Sequence, residues 1–532
     1  MLYAANCRDT FFSRWTQPEG KMDEWVCMRK SYISIALLSL IGCSSSFGTA
    51  EDPSADAGDA GLDKTTGNPL ADAGADAAPE APPVVSPPPP DADLNENYGI
   101  FVSLVGTPNG DGTRANPLLS IQAAIGKAKP SGKHVYVCKG TYKEALTLEN
   151  GISVIGGYDC TGNWAIDNNG RSRIESPTIP AIRANNIVVA TSFMGFDVIA
   201  PDASVSGTSS IGLIAQNAGS LRIANGSITA GKGADGAPGT TPAPPVNGTD
   251  VDGKQGGSIC SLPFPLNMTS TCPTTAAAKG GTSTCGGETG GAGTLAPFYG
   301  GDYPACSIPT VRAKLYEVKS GNAGQAGTDG ISANATGAFN ANGYVSADGT
   351  PGKNGSPGYG GSGGKFADYA DTCKLDWYFQ LSSGSGGGAG GCGGLAGTPG
   401  KGGGASIAAL LSASDGLTFD AALVLAGQGG AGGKGSLGSL PTAGGAAGAP
   451  LLYTGAPQPG GPGGRPGISG SGAGGPSIGV AYTGGMPTFV NGAKPKAGTP
   501  GAGVPEDSNT FQNVTWKLPL SAAGIAQDMY SF

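Results

Sequence analysis

The chain has 532 residues, 97 of them glycine and 41 proline, and only 13% are charged, 31 basic against 39 acidic. That balance excludes a basic nucleic-acid binder, and the glycine content excludes an ordinary globular domain. At this length an elongated solenoid is expected rather than one large core, because a solenoid grows without thickening.

Residues 1–27 place Asp23, Glu24 and Trp25 just ahead of Arg29-Lys30, which does not suit a signal n-region, so they read as an upstream extension from a mis-called start codon. Residues 28–42 read as an export signal, with Met28-Arg29-Lys30 followed by the apolar run Ile33 to Ile41, too short to span a membrane. The run ends in Leu40-Ile41-Gly42-Cys43, which resembles a bacterial lipobox. The resemblance implies cleavage before Cys43 and a diacylglycerol on its thiol. Ser44 in the next position favours the outer membrane of a Gram-negative host. The expected address is therefore an exported outer-membrane lipoprotein, at the cell surface or its periplasmic face, with the membrane as partner through the lipid. Residues 43–94 are rich in Ala, Asp, Gly and Pro and include Ser86-Pro87-Pro88-Pro89-Pro90. Such a stretch cannot bury enough surface to offset ordering entropy, and it reads as an extended tether.

From 95 to 233 the pattern changes. Ile100 to Leu104 reads as a strand and Gly106 to Asn116 as a turn-rich loop. Pro117 stands at the first turn of a helix whose apolar face is Leu118, Ile121, Ala124, Ile125 and Ala128. Val135 to Val137, Ala145 to Leu148 and Ile152 to Ile155 are short strands, with turns at Lys139-Gly140 and Asn150-Gly151 too close together for crossover helices. Parallel stacking of coils satisfies these strands, with the helix closing the open end. The order Phe101-Val102-Ser103, Gly112-Thr113, Pro117, Ser120 to Ile125, Val135-Tyr136-Val137, Gly140-Thr141-Tyr142 and Gly156-Gly157-Tyr158 resembles the opening of the DUF1565 group of pectin-lyase-like proteins. The resemblance implies an all-β fold, the right-handed parallel β-helix, on a surface protein, and no single activity.

Further coils are expected at Ile187 to Ala190, Phe193 to Ile199, Ile211 to Ala215 and Leu221 to Ile223. An internal repeat then aligns SIGLIAQNAGSLRIANGSITAGKG (210–233) with SIAALLSASDGLTFDAALVLAGQG (406–429) and SIGVAYTGGMPTFVNGAKPKAG (477–498). Ser-Ile opens each copy and Ala-Gly closes it. Leu221 and Leu417, Ile223 and Phe419, and Ile228 and Val424 should point inward. The organisation expected is a Cys/Gly-rich excursion at 234–405, a coil at 406–435, a Gly-rich excursion at 436–476, and a last coil with its cap at 477–532.

Within the excursions glycine recurs every third residue, at Gly349 to Gly364, Gly388 to Gly403 and Gly461 to Gly470. A period of three is that of a polyproline-II-type helix with glycine on one edge, which allows close packing, while a flexible loop is the competing reading. The tracts are similar to those of PE-PGRS bacterial surface proteins, without the PE module.

Of the 11 cysteines, Cys7 and Cys27 precede the cleavage site and Cys43 is the lipidation site. Cys138, Cys160, Cys260, Cys272, Cys285, Cys306, Cys373 and Cys392 remain as disulfide candidates in an exported protein. Cys138 and Cys160 lie about one coil apart. Without a CxxC pair, and with His134 the only histidine, no metal or other cofactor is expected. Catalysis would need clustered carboxylates, but Glu144, Glu149, Asp159, Asp167, Glu175, Asp197 and Asp202 are scattered and mostly in turns. No catalytic residue is assigned, and His134 reads as a capping or solvent-facing side chain. Asn225, Asn247, Asn267, Asn334 and Asn513 begin glycosylation-type triplets that are chance matches in a bacterium. The expected role is structural or adhesive and non-catalytic, with a polysaccharide or other cell-surface polymer as partner and no nucleic acid. The alternatives are a carbohydrate-active β-helix enzyme and an ice- or lattice-binding surface.

Overall fold

Hydrogen bonds between short strands decide the architecture, and nearly all of those pairings are parallel. The computed structural model describes residues 94–161, 163–167, 170–257, 277–294, 318–365, 383–451, 455–511 and 514–532. These belong to one compact unit, 81–532, whereas the unit 1–80 lies outside the described residues, as do the signal, Cys43 and the tether up to residue 93.

Three ladders run through the molecule. The first stacks Gly99–Thr107, His134–Cys138, Val154–Asp159, Thr191–Met194, the first half of Leu221–Thr229, the first half of Thr418–Leu425, and Thr488–Val490. The second stacks Gly140–Tyr142, Ser172–Glu175, Phe196–Ile199, the latter halves of the same two long strands, and Lys494–Lys496. The third stacks Leu146–Leu148, Ile182–Asn185, Ser210–Gln216, Ser406–Ser412, Ser477–Thr483 and Ala526–Ser531. The chain visits them in turn, one layer per pass. Alternation along each strand sends Val135, Val137, Val154, Phe193, Ile223, Phe419 and their neighbours into a shared interior, where Phe193 stacks on Phe196 and Phe419 on Phe489.

The repeat copies are neighbours in register: Ser210 pairs with Ser406 and Ser406 with Ser477, while Ile223 faces Phe419 and Ile228 faces Val424. Leu221 and Leu417 are buried in the same interior. Left-handed residues also stack in columns, Asn186, Asn217, Ala413 and Gly484 at one corner, and Gly195, Asn225, Ala421 and Asn491 at another. Each column turns the chain by a single residue, and the Asn217 side-chain amide donates to the Asn186 Oδ1 at 3.0 Å.

Local differences from the sequence reading have physical causes. The helix is Ile121–Ala128, and Pro117 precedes its cap rather than entering its first turn. Leu118 instead bridges to Val102 and Thr107. Gly140–Tyr142 is a strand and not a turn, because Tyr142 buries its ring and donates its hydroxyl to the Cys138 carbonyl at 3.0 Å. Ile187 to Ala190 is an irregular corner and not a strand, because the Asn150 side chain accepts both the Val188 and Val189 N–H groups at 2.8 Å and leaves those valines exposed.

All three long excursions leave after the second ladder and return at the third: 230–405, 426–476 and 497–525. The second departs at 426 rather than 436, and the third carries a hairpin, Asp507–Phe511 with Val514–Leu518, inside what read as the last coil. The glycine segments are neither helix nor strand in the ordinary sense. Their amides hydrogen-bond laterally every third residue: Gly388, Gly391 and Gly394 donate to the carbonyls of Gln458, Gly461 and Gly464, and Gly355, Gly358 and Gly361 donate to those of Gly394, Gly391 and Gly388. Segment 383–404 is bonded in this way to six others, 231–257, 277–283, 287–294, 349–364, 427–449 and 458–475. Its first half is buried throughout. Another piece of the first excursion, the hairpin Ala338–Asn340 with Gly343–Val345, lays Phe339 and Tyr344 against the outer apolar face of the third ladder, formed by Ile211, Ile214, Ile407, Leu410 and Ile478.

Candidate functional site

The corner from which the excursions spring is built by the repeat itself. Ser406 donates its hydroxyl to the Gly231 carbonyl at 2.7 Å and accepts the Gly427 N–H at 2.8 Å. Ser477 does the same between Gly427 and Gly498, at 2.6 and 2.8 Å, and Ser210 accepts the Gly231 N–H at 2.9 Å. These three hydroxyls are fully buried. A line of serines therefore clasps the neck of each excursion to the next layer, which explains why every copy opens with Ser and closes with Ala-Gly. Sequence reading found the pattern and missed the hydroxyl chemistry.

Each carboxylate weighed for catalysis is already engaged. Glu144 accepts the Ile121 and Gln122 N–H groups at 2.8 and 3.0 Å and the Ser120 hydroxyl at 2.7 Å, so it caps the helix. Glu149 pairs with Lys129, Glu175 with Arg173, and Asp197 with Arg171 and Ser227. Asp202 accepts the Lys232 N–H at 2.6 Å. Asp159 and Asp167 converge on the Lys139 ammonium at 3.2 and 2.8 Å. Hydrogen bonds from Thr161, and then Lys139, hold Asp159 below its usual range, while Asp167 and then Asp159 push Lys139 up. Asp159 is thus an ionised salt partner rather than a poised general acid, and Asp167 is tied to the same ammonium.

His134 is half-buried and its Nδ1 accepts the Ser153 N–H at 3.3 Å. Burial pushes its pKa down. The ring is a neutral acceptor between two strands. On the first ladder Asp420, 7% exposed, receives Arg222 and Asn491; burial opposes its charge, but those hydrogen bonds hold its pKa down. Among the described residues no group of acids, cysteines or histidine could hold a metal, and no helix is long and apolar enough to cross a membrane. Among the described residues the buried Trp516 indole N–H finds no acceptor.

Cys138 is bonded to Cys160, between adjacent strands of the first ladder, and Cys285 to Cys392, tying 277–294 to the central segment. Cys260, Cys272, Cys306 and Cys373 lie outside the described residues. Of the asparagine triplets, Asn225 and Asn334 are exposed, whereas Asn247 donates to the Ala443 carbonyl at 2.7 Å; Asn267 and Asn513 lie outside the described residues. No protein-family model, curated protein or solved structure matches the chain.

Proposed function

We propose that the chain is a surface lipoprotein anchored through Cys43, with a structural or adhesive rather than catalytic role. In this reading the three ladders are the faces of a right-handed parallel β-helix of the DUF1565 kind. The glycine segments are threefold helices bundled at one corner, in the manner expected of PE-PGRS-like tracts, and residues 43–94 tether the whole to an outer membrane. The observation that carries the reading is the engagement of every candidate carboxylate in the stack by a structural partner, beside a large bundle built from backbone hydrogen bonds. A lattice- or ice-binding face is less well supported. The exposed row Asn322, Gln325, Thr328 and Ile331 changes chemistry at each step instead of repeating Thr or Ala.

The test compares cells expressing the full chain with cells expressing Cys43→Ser. Radiolabelled palmitate should enter only the parent, adherence to a polysaccharide-coated surface should be lost in the variant, and no polysaccharide incubated with the parent should gain reducing ends or unsaturated products. Palmitate in both proteins would remove the anchor. Cleaved polysaccharide would replace adhesion with enzymology.

A further inference from the structure

At the corner between the second and third ladders, the loops of consecutive layers leave two adjoining recesses. The first, about 420 Å³, is lined by apolar Pro177, Ile179, Pro201 and Val205 together with polar side chains that include Thr178, Asp202 and Ser204. The second, about 300 Å³, lies between Asp202, Ser204 and Ser206 of one layer and Lys232 and Asp235 of the next. Asp202 and Ser204 line both, so the recesses form one groove crossing the layers.

The groove is held rigid before any ligand arrives. The Ala203 N–H donates to the Lys232 carbonyl at 2.8 Å, the Gly207 N–H to the Asp235 carbonyl at 3.1 Å, and the Ser210 hydroxyl to the Pro201 carbonyl at 2.7 Å. Preorganised walls spare a ligand the cost of ordering them. After these bonds the hydroxyls of Ser204 and Thr178 and the second oxygen of Asp202 have no protein partner among the described residues. The lining of the groove therefore offers a carboxylate oxygen and two hydroxyls among apolar side chains, none of them aromatic.

Resting on the adhesive reading above, we propose that this groove binds a neutral glycan. A sugar ring has apolar C–H faces for the proline, isoleucine and valine side chains of the lining and a rim of hydroxyls, each donor and acceptor, for Asp202, Ser204 and Thr178. An acidic polymer fits poorly, because Asp202 and Asp235 face it and Lys232 is already paired with Asp235 at 3.2 Å.

The experiment is affinity electrophoresis of the detergent-solubilised full chain through gels carrying a soluble glucan, mannan or galactan, or polygalacturonate. At least one neutral polysaccharide should retard the parent, and polygalacturonate should not. Ser204→Trp, which fills the shared point of both recesses, should bind at least about tenfold more weakly. Lys353→Ala, in the glycine segments, should bind like the parent. An unchanged thermal transition establishes that Ser204→Trp is folded. Passage of the parent through every neutral gel, equal retardation by polygalacturonate, or parent-like binding by Ser204→Trp would each overturn the proposal. Adherence of expressing cells is scored separately. A parent that is retarded in the gel but does not adhere would overturn the adhesive reading and leave the groove standing.

Discussion

At Gly355 a methyl group would sit 2.1 Å from the Gly464 carbonyl oxygen and 2.5 Å from that of Arg465, two backbone atoms with nowhere to go. Gly355→Ala should therefore cost about 1–3 kcal/mol, as overpacking does. Asn354 is exposed, and the sequence suggests that alanine would be harmless there. Its side-chain oxygen, however, accepts the Ala396 N–H at 2.8 Å, so Asn354→Ala should cost about 1 kcal/mol. The left-handed columns give the opposite sign. Ala413 and Ala421 hold φ of +45° where neighbouring layers use Asn or Gly, so Ala413→Gly or Ala421→Gly should stabilise by up to about 1 kcal/mol, read by thermal unfolding. His134 supplies a pH signature. Its folded pKa lies below 6.5, so the unfolded chain takes the proton first, and stability should fall as pH drops below 6.5. The carboxylates with lowered pKa values, such as Asp329 held by Arg465, add a separate loss only as pH falls below 3.8. His134→Asn keeps an acceptor for Ser153 and should remove the upper step alone.

Among the elements, the serine clasp is the most economical target. Ser406→Ala leaves the partly buried Gly231 carbonyl and Gly427 N–H without that partner and should cost about 1–2 kcal/mol. Limited proteolysis would read it as faster cleavage in the excursions. The paired strands of the repeat were legible because large side chains such as Ile223 and Phe419 alternate with small or polar ones. The clasp was half-legible, as a recurring Ser and Gly 21 residues apart whose bond appears only when layers stack. The strand Gly140–Tyr142 was not legible, because three residues are too few for a period and Gly140 looks like a turn. The groove was hidden for a related reason, since Thr178, Ser204 and Asp235 come from three separate loops with no shared spacing.

Across the whole compact unit, the excursions and the stack depend on each other. The hairpin of the first excursion covers the outer face of the third ladder, and segments of the first and second excursions interleave around 383–404. Phe419→Asp would bury an unpaired carboxylate at a fully buried site in the interior and should cost several kcal/mol. It should also loosen the glycine segments, so that fluorescence and proteolysis report one transition rather than two. What distinguishes this account from a flexible glycine loop is the periodicity of amide protection in 349–364. There Gly355, Ser356, Gly358, Tyr359, Gly361 and Ser362 donate backbone hydrogen bonds to neighbouring segments, while the Asn354, Gly360 and Gly363 amides donate none to the described residues. Hydrogen exchange followed by NMR should show slow amides at Gly355, Ser356, Gly358, Tyr359, Gly361 and Ser362 and fast amides at Asn354, Gly360 and Gly363, with Pro357 contributing no amide. Uniformly fast exchange through these residues would contradict the bundle, and with it the claim that these glycines are there to let backbones touch.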